Sequence, residues 1–90
     1  MYYVYIITGE SNSALYIGVT NDLSCRIYEH KSEAIDGFSK RYHLHKLIYF
    51  EEYSEINQAI LREKQLKSWR REKKIELIKK QNPTFREYFF

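Results

Sequence analysis

Cysteine, proline and glycine are scarce in this 90-residue chain: one Cys, one Pro and three Gly. A lone thiol, Cys25, makes neither an intrachain disulfide nor a cysteine-based zinc site. That excludes the disulfide-stapled secreted scaffolds and fits a reducing compartment. So little glycine and proline excludes a collagen-like chain, a long linker and a low-complexity tract. Long apolar runs are missing as well. The opening stretch, MYYVYIITGESN, has no basic leader and only about seven apolar residues, too few for a signal peptide or a membrane span. The expectation is a soluble, cytoplasmic protein with a single domain over residues 1–90.

What is abundant is aromatic side chain, 17% of residues, with 9 Tyr against 5 Phe and 1 Trp. A small core does not need so many hydroxyls, so some belong to surface or site chemistry. Net charge is only +3, but it is polarised. Residues 61–80 carry nine basic groups against three acids, and the rest of the chain carries six against nine. A basic end suits a polyanion, with nucleic acid first among the choices; a solvated helix face rich in lysine accounts for it equally well.

The pattern predicts a β-β-α-β-α-α order, mixed α/β. Tyr2–Thr8 is β-branched and aromatic throughout, as expected of a strand covered on both faces and central in its sheet. GESNS is a polar turn, and residues 14–19 (ALYIGV) form the second strand of a hairpin. Thr20-Asn21-Asp22 caps a helix that runs to about Lys31. Residues 31–41 read as an exposed loop and 45–53 as a third strand. Ser54 caps a long helix with the inward stripe Ile56, Ala59, Ile60, Glu63, Leu66, while Arg62 and Lys64 point away. A break falls near residues 68–71. A last helix ends before Pro83, and the aromatic tail folds back over the sheet. With the first strand central, the antiparallel three-stranded sheet has the order 2-1-3.

Four polar groups lie on otherwise apolar faces: Tyr5, Tyr16, Arg26 and Glu63. Tyr5 and Tyr16 sit on paired strands and could face each other. Arg26 follows the second strand by one helical turn. Strand tyrosines are usually packing residues, and an Arg26–Glu63 salt bridge alone would explain the other two. Spacing leaves both readings open.

The stretches VYII, LYIGVTNDLSCRIYEH, AILREKQLKSW and NPTFREYF together resemble the GIY-YIG nuclease superfamily. They are most similar to its small stand-alone bacterial branch, and to the N-terminal nuclease domain that the superfamily contributes to excision repair of DNA. The resemblance spans essentially the whole chain. The first triplet departs from the pattern, with Tyr3 at the family's glycine and Val4 at its isoleucine.

The resemblance implies an endonuclease that hydrolyses phosphodiesters, on DNA rather than RNA, with a single divalent cation, Mg²⁺ or Mn²⁺. It assigns Tyr5 and Tyr16 as the motif tyrosines, Arg26 as the phosphate-facing arginine and Glu63 as the metal-binding carboxylate. It adds His30 as a site histidine and Asn82 as a looser match. A single carboxylate leaves the remaining ligands to water and substrate. Either Tyr5 or His30 could serve as base: a phenol is weak at neutral pH, whereas an imidazole is better matched. Lys64, Lys67, Arg70, Arg71 and Lys74 would hold the nucleic-acid backbone, weakly, salt-dependently and with low sequence specificity. Two alternatives stand beside this reading: a nucleic-acid-binding module with little catalysis, and an interaction protein that meets a partner through its aromatic tail. His43 and His45 have no third ligand for zinc, Trp69 reads as a helix-break plug, and Cys25 as a small helix residue.

Overall fold

Continuous burial from Val4 to Thr8 organises the chain around β1 (Tyr2–Thr8). In a computed structural model describing residues 1–34 and 37–89, β1 pairs antiparallel with β2 (Leu15–Thr20) on one side and with β3 (Lys46–Tyr53) on the other, giving the order β2-β1-β3. This is the predicted sheet. Val4 and Ile6 face one layer and Tyr5 and Ile7 the other, as the two-residue period requires. The first layer joins Ile17, Ile48 and Tyr49 to Ala59, Leu66 and Ile78 of α3 (Ile56–Ser68) and α4 (Arg71–Gln81). The second joins Leu47 to Leu23 and Ile27 of α1 (Leu23–Lys31). A register shift between Ile6 and Ile7 puts Ile48 and Tyr49 in the same layer.

Local chemistry sets the helix limits. The Asp22 carboxylate accepts from the Cys25 N–H at 3.0 Å and starts α1. α3 begins one residue later than expected, with Glu55 at the N-cap and no side-chain cap bond, so Ser54 does not cap it. Ile56 at its start is exposed, which shortens the inward stripe to Ala59, Ile60, Glu63 and Leu66. The break falls at Trp69 and Arg70, as predicted.

Within the expected loop the structure has a short helix, α2 (Phe38–Arg41). Its Ser39 is buried, and so is Leu44 just beyond it. Two inward residues in a polar stretch give no period to read. Ile35 and Asp36 of that expected loop lie outside the described residues.

The tail folds back as expected. The Tyr88 N–H donates to the Leu47 carbonyl at 2.8 Å, and its ring packs edge-on against Phe50. Asn82, which caps α4, holds this return in place. Its amide donates to the carbonyls of Ile48 and Arg86, and its carbonyl accepts from the Arg86 N–H.

Candidate active site

The β1–β2 register puts Tyr5 opposite Gly18 and Tyr16 opposite Ile7. The two tyrosines are diagonal neighbours on one face rather than a direct pair, with ring centroids 6.4 Å apart. Gly18 explains the offset. A Cβ there would lie 2.5 Å from the Tyr5 hydroxyl oxygen, so the Tyr5 ring crosses the space a side chain would fill. From α1, His30 closes the group. Its ring packs against Tyr5 at 5.7 Å and Tyr16 at 5.4 Å. The Tyr5 hydroxyl is hydrogen-bonded to His30 Nε2 at 2.9 Å, and His30 Nδ1 to the Ser39 hydroxyl at 3.0 Å. Tyr5, His30 and Ser39 are all buried.

Gly18→Ala should therefore displace the Tyr5 hydroxyl, because the buried ring, held by His30 and Tyr16, has little room to give. Overpacking of this kind costs about 1–3 kcal/mol of stability. Urea unfolding checks this; a wild-type midpoint would refute it.

Burial pushes the Tyr5 phenol well above its ordinary value. The charges of Tyr16, Glu63 and Glu29 add to this, and Arg26 opposes it. The phenol is thus protonated at neutral pH. Burial and the Arg26 charge lower the His30 pKa from 6.5 against the opposing pull of Glu29, leaving the imidazole neutral. A neutral imidazole carries one N–H, so Tyr5–His30–Ser39 is a chain with one acceptor nitrogen and one donor nitrogen.

The His30 shift also has a stability consequence. The unfolded chain takes up the proton first as pH falls, so this contribution to stability is complete above pH 6.5 and is lost as pH drops through the lowered folded value. Urea midpoints at about pH 7 and pH 5 should therefore fall further in wild type than in His30→Gln. Equal declines would contradict the neutral, buried assignment.

Arg26 and Glu63 do not pair, so the salt bridge that could have explained both is absent. Arg26 Nε lies 3.6 Å from the Glu29 carboxylate, and Glu63 sits 3.4 Å from Lys67 one turn along α3. Arg26 Nε is buried and donates to no acceptor among the described residues. The Arg26 side chain as a whole is 39% exposed, and a guanidinium held only by a long ion pair suits an oxyanion.

Glu63 is half-buried and close enough for its charge to act on the Tyr5 hydroxyl. Among the described residues no three His, Cys, Asp or Glu side chains cluster as a metal cage. A lone carboxylate fits a hard cation that keeps its waters, such as Mg²⁺, and does not fit a structural zinc ion.

The remaining sequence candidates separate. Lys64, Lys67, Arg70 and Arg71 are exposed and Lys74 is half-buried. Arg71 donates to the Asn12 carbonyl at 3.0 Å and so fastens α4 to the β1–β2 turn. Asn82 is only 3% exposed, with its amide committed to backbone, so it stands apart from the cluster.

Arg62 departs from the sequence reading. It turns inward and holds Glu51 through two hydrogen bonds, of 2.9 and 3.0 Å. Tyr49 and Tyr53 donate to the same carboxylate. Burial pushes the Glu51 carboxyl up, but these hydrogen bonds and the Arg62 charge outweigh it and hold it below its ordinary value. Two more tyrosine hydroxyls thus have structural partners. Trp69 packs on the core, as expected, with Lys73 at 4.2 Å and Arg62 at 5.2 Å from its ring. The residue that sequence reasoning missed is Ser39, for which only its contact with His30 gives a signal.

The family model described as the GIY-YIG catalytic domain matches residues 1–76. The chain belongs to the GIY-YIG family. Small UPF0213 proteins are among its relatives. One from Staphylococcus aureus is 32% identical over 78 residues, covering 87% of this chain and 94% of the relative. One from Staphylococcus haemolyticus is 32% identical over 77 residues, covering 86% and 93%. The solution NMR structure of a UPF0213 protein from Bacillus halodurans has the same fold, with a TM-score of 0.59, 24% identity and coverage of 94% of this chain and 90% of that one. Membership accounts for the two motif triplets. It also makes Tyr3, at the GIY glycine, a notable position: its side chain is accommodated by edge-on packing against Phe50 at 6.4 Å.

Proposed function

We propose that this GIY-YIG protein is a divalent-metal-dependent endonuclease that cleaves DNA phosphodiesters with low sequence specificity. The observation that carries the reading is the buried, hydrogen-bonded Tyr5–His30 pair with the Arg26 and Glu63 charges in electrostatic reach of it. Arg26 places positive charge where a phosphate develops negative charge in the transition state, and its planar fork suits two phosphate oxygens. Tyr5 takes the proton of the attacking water as its own passes to His30 Nε2, which the neutral imidazole is ready to accept. Nδ1 keeps its proton and donates a hydrogen bond to the Ser39 hydroxyl, which fixes the ring. The water oxygen bonds to phosphorus; the leaving oxygen departs with the electron pair of its broken bond and takes a proton from solvent, to which His30 returns the one it accepted. Tyr16, against both rings, shapes the pocket. A cation held by Glu63 would supply charge neutralisation at the leaving oxygen.

Lys64, Lys67, Arg70, Arg71 and Lys74 would hold the phosphate backbone. No base-reading element accompanies them among the described residues, so binding is expected to be weak and steeply salt-dependent. A cytoplasmic location and a targeting partner belong to the same proposal.

The test is cleavage of supercoiled plasmid, single-stranded DNA and RNA with Mg²⁺, Mn²⁺ or EDTA. Arg26→Ala should lower the metal-dependent rate about 100- to 1,000-fold while remaining folded. Salt-dependent binding without cleavage in wild type would favour a binding module instead.

A further inference from the structure

The α2 segment carries more than Ser39. Phe38 and Tyr42, one turn apart, are 48% and 51% exposed, with ring centroids 4.7 Å apart. The Arg41 guanidinium lies 5.8 Å from the Tyr42 ring. Aromatic faces open to solvent and next to an arginine are the elements of a stacking platform for unpaired bases.

Tyr28 and Phe89 are more exposed, at 71% and 75%, but among the described residues neither is paired with a second ring as Phe38 and Tyr42 are. Trp69 lies under two cations and packs on the core. The Phe89 ring carries the Lys31 ammonium at 5.1 Å, and that lysine is held by Glu87 at 2.6 Å.

Position gives the pair its meaning. Phe38 adjoins Ser39, whose hydroxyl bonds His30, which in turn bonds Tyr5. The platform therefore starts one residue along α2 from Ser39, the buried end of the group proposed to act on the phosphodiester.

We infer that Phe38 and Tyr42 stack unpaired bases of a DNA strand whose backbone enters the Tyr5–Arg26–Glu63 site, so that the protein favours single-stranded or frayed DNA over intact duplex. The inference rests on reading that site as one acting on nucleic acid. Positive charge from Arg41 complements the strand, whereas an apolar protein partner would gain nothing from it. Stacking reads the face of a base and not its edge, so the preference is for unpaired structure rather than sequence.

The test is binding in EDTA, where cleavage plays no part. Fluorescence anisotropy with the full chain compares a labelled single strand with the same sequence as duplex. Phe38→Ala/Tyr42→Ala should weaken single-strand binding at least about tenfold, within the range for a lost base stack, and change duplex binding less than about twofold. Replacing Phe38 by Trp in the Tyr42→Ala background keeps a ring there and should restore affinity to that of single Tyr42→Ala. Arg41→Gln should lower the salt slope on single strands by about 0.7, and the ring variants should leave it unchanged.

Equal losses on both substrates, or no loss on the single strand, would overturn the inference. So would wild-type protein that fails to bind single strands at low salt. Sedimentation of wild type and the double variant addresses self-association through these rings; a dimer lost on substitution would also overturn it. Selective single-strand binding in a protein that never cleaves would leave the platform standing and remove the nuclease reading.

Discussion

Tyr5→Phe is expected to lower metal-dependent cleavage by about 100- to 10,000-fold while the fold persists. The change removes one oxygen. The ring still fills the space over Gly18 and still meets Tyr16 and His30. What is lost is the proton path from water to His30 Nε2, because the imidazole is reached through the hydroxyl. His30 Nε2 is left buried without that partner, which costs about 1–3 kcal/mol. Urea unfolding separates this cost from the rate, since a chain that keeps most of its stability is still folded at assay temperature. Full activity in Tyr5→Phe would remove Tyr5 from the reaction. Activity that survives there but is lost in His30→Gln would identify the imidazole as the direct base.

Glu63→Gln is the second large effect. Gln keeps the shape and removes the charge. A neutral amide is a poor ligand for a hard divalent cation, and no second acidic, Cys or His cluster among the described residues replaces it. On the proposed mechanism several kcal/mol of transition-state stabilisation would depend on that cation, so the expected loss is on the order of 1,000-fold or more. The substitution does not impair Tyr5 by raising its pKa, because the Glu63 charge is among the causes that push the phenol up. It also frees Lys67 from its ion pair, so DNA binding should hold or strengthen as turnover falls. Opposite movements of binding and rate would locate Glu63 in the chemistry. A parallel loss of both would place it in binding alone.

The parts legible in the sequence were those with a period or a motif. β1 runs over the residues its β-branched run marks, and its continuous apolar character put it at the centre of the sheet. Tyr5, Tyr16, Arg26, His30 and Glu63 were singled out by spacing and by the resemblance, and the structure brings Tyr5, Tyr16 and His30 into contact, with Arg26 and Glu63 in electrostatic reach. Long-range side-chain partnerships were not legible. Ser39 looks like any loop serine until α2 turns its hydroxyl onto His30. Arg62 is one of nine basic groups in its segment, and only its reach to Glu51, eleven residues earlier, takes it off the solvent face. Asn82 carried a site role by analogy, yet its amide is used up in fastening the tail. Tyr49 and Tyr53 resolve part of the tyrosine excess as anchors for a buried carboxylate.

The central claim is that Glu63 makes this cluster a metal-dependent phosphodiesterase. Single-turnover cleavage of an end-labelled DNA strand tests it most directly, with purified wild type in Mg²⁺, wild type in EDTA, and Glu63→Gln in Mg²⁺ run side by side. Product is expected in the first reaction only, at a rate that falls as pH drops below the ordinary histidine range because His30 must be neutral. Cleavage at equal rates in all three, or none in the first, would contradict it.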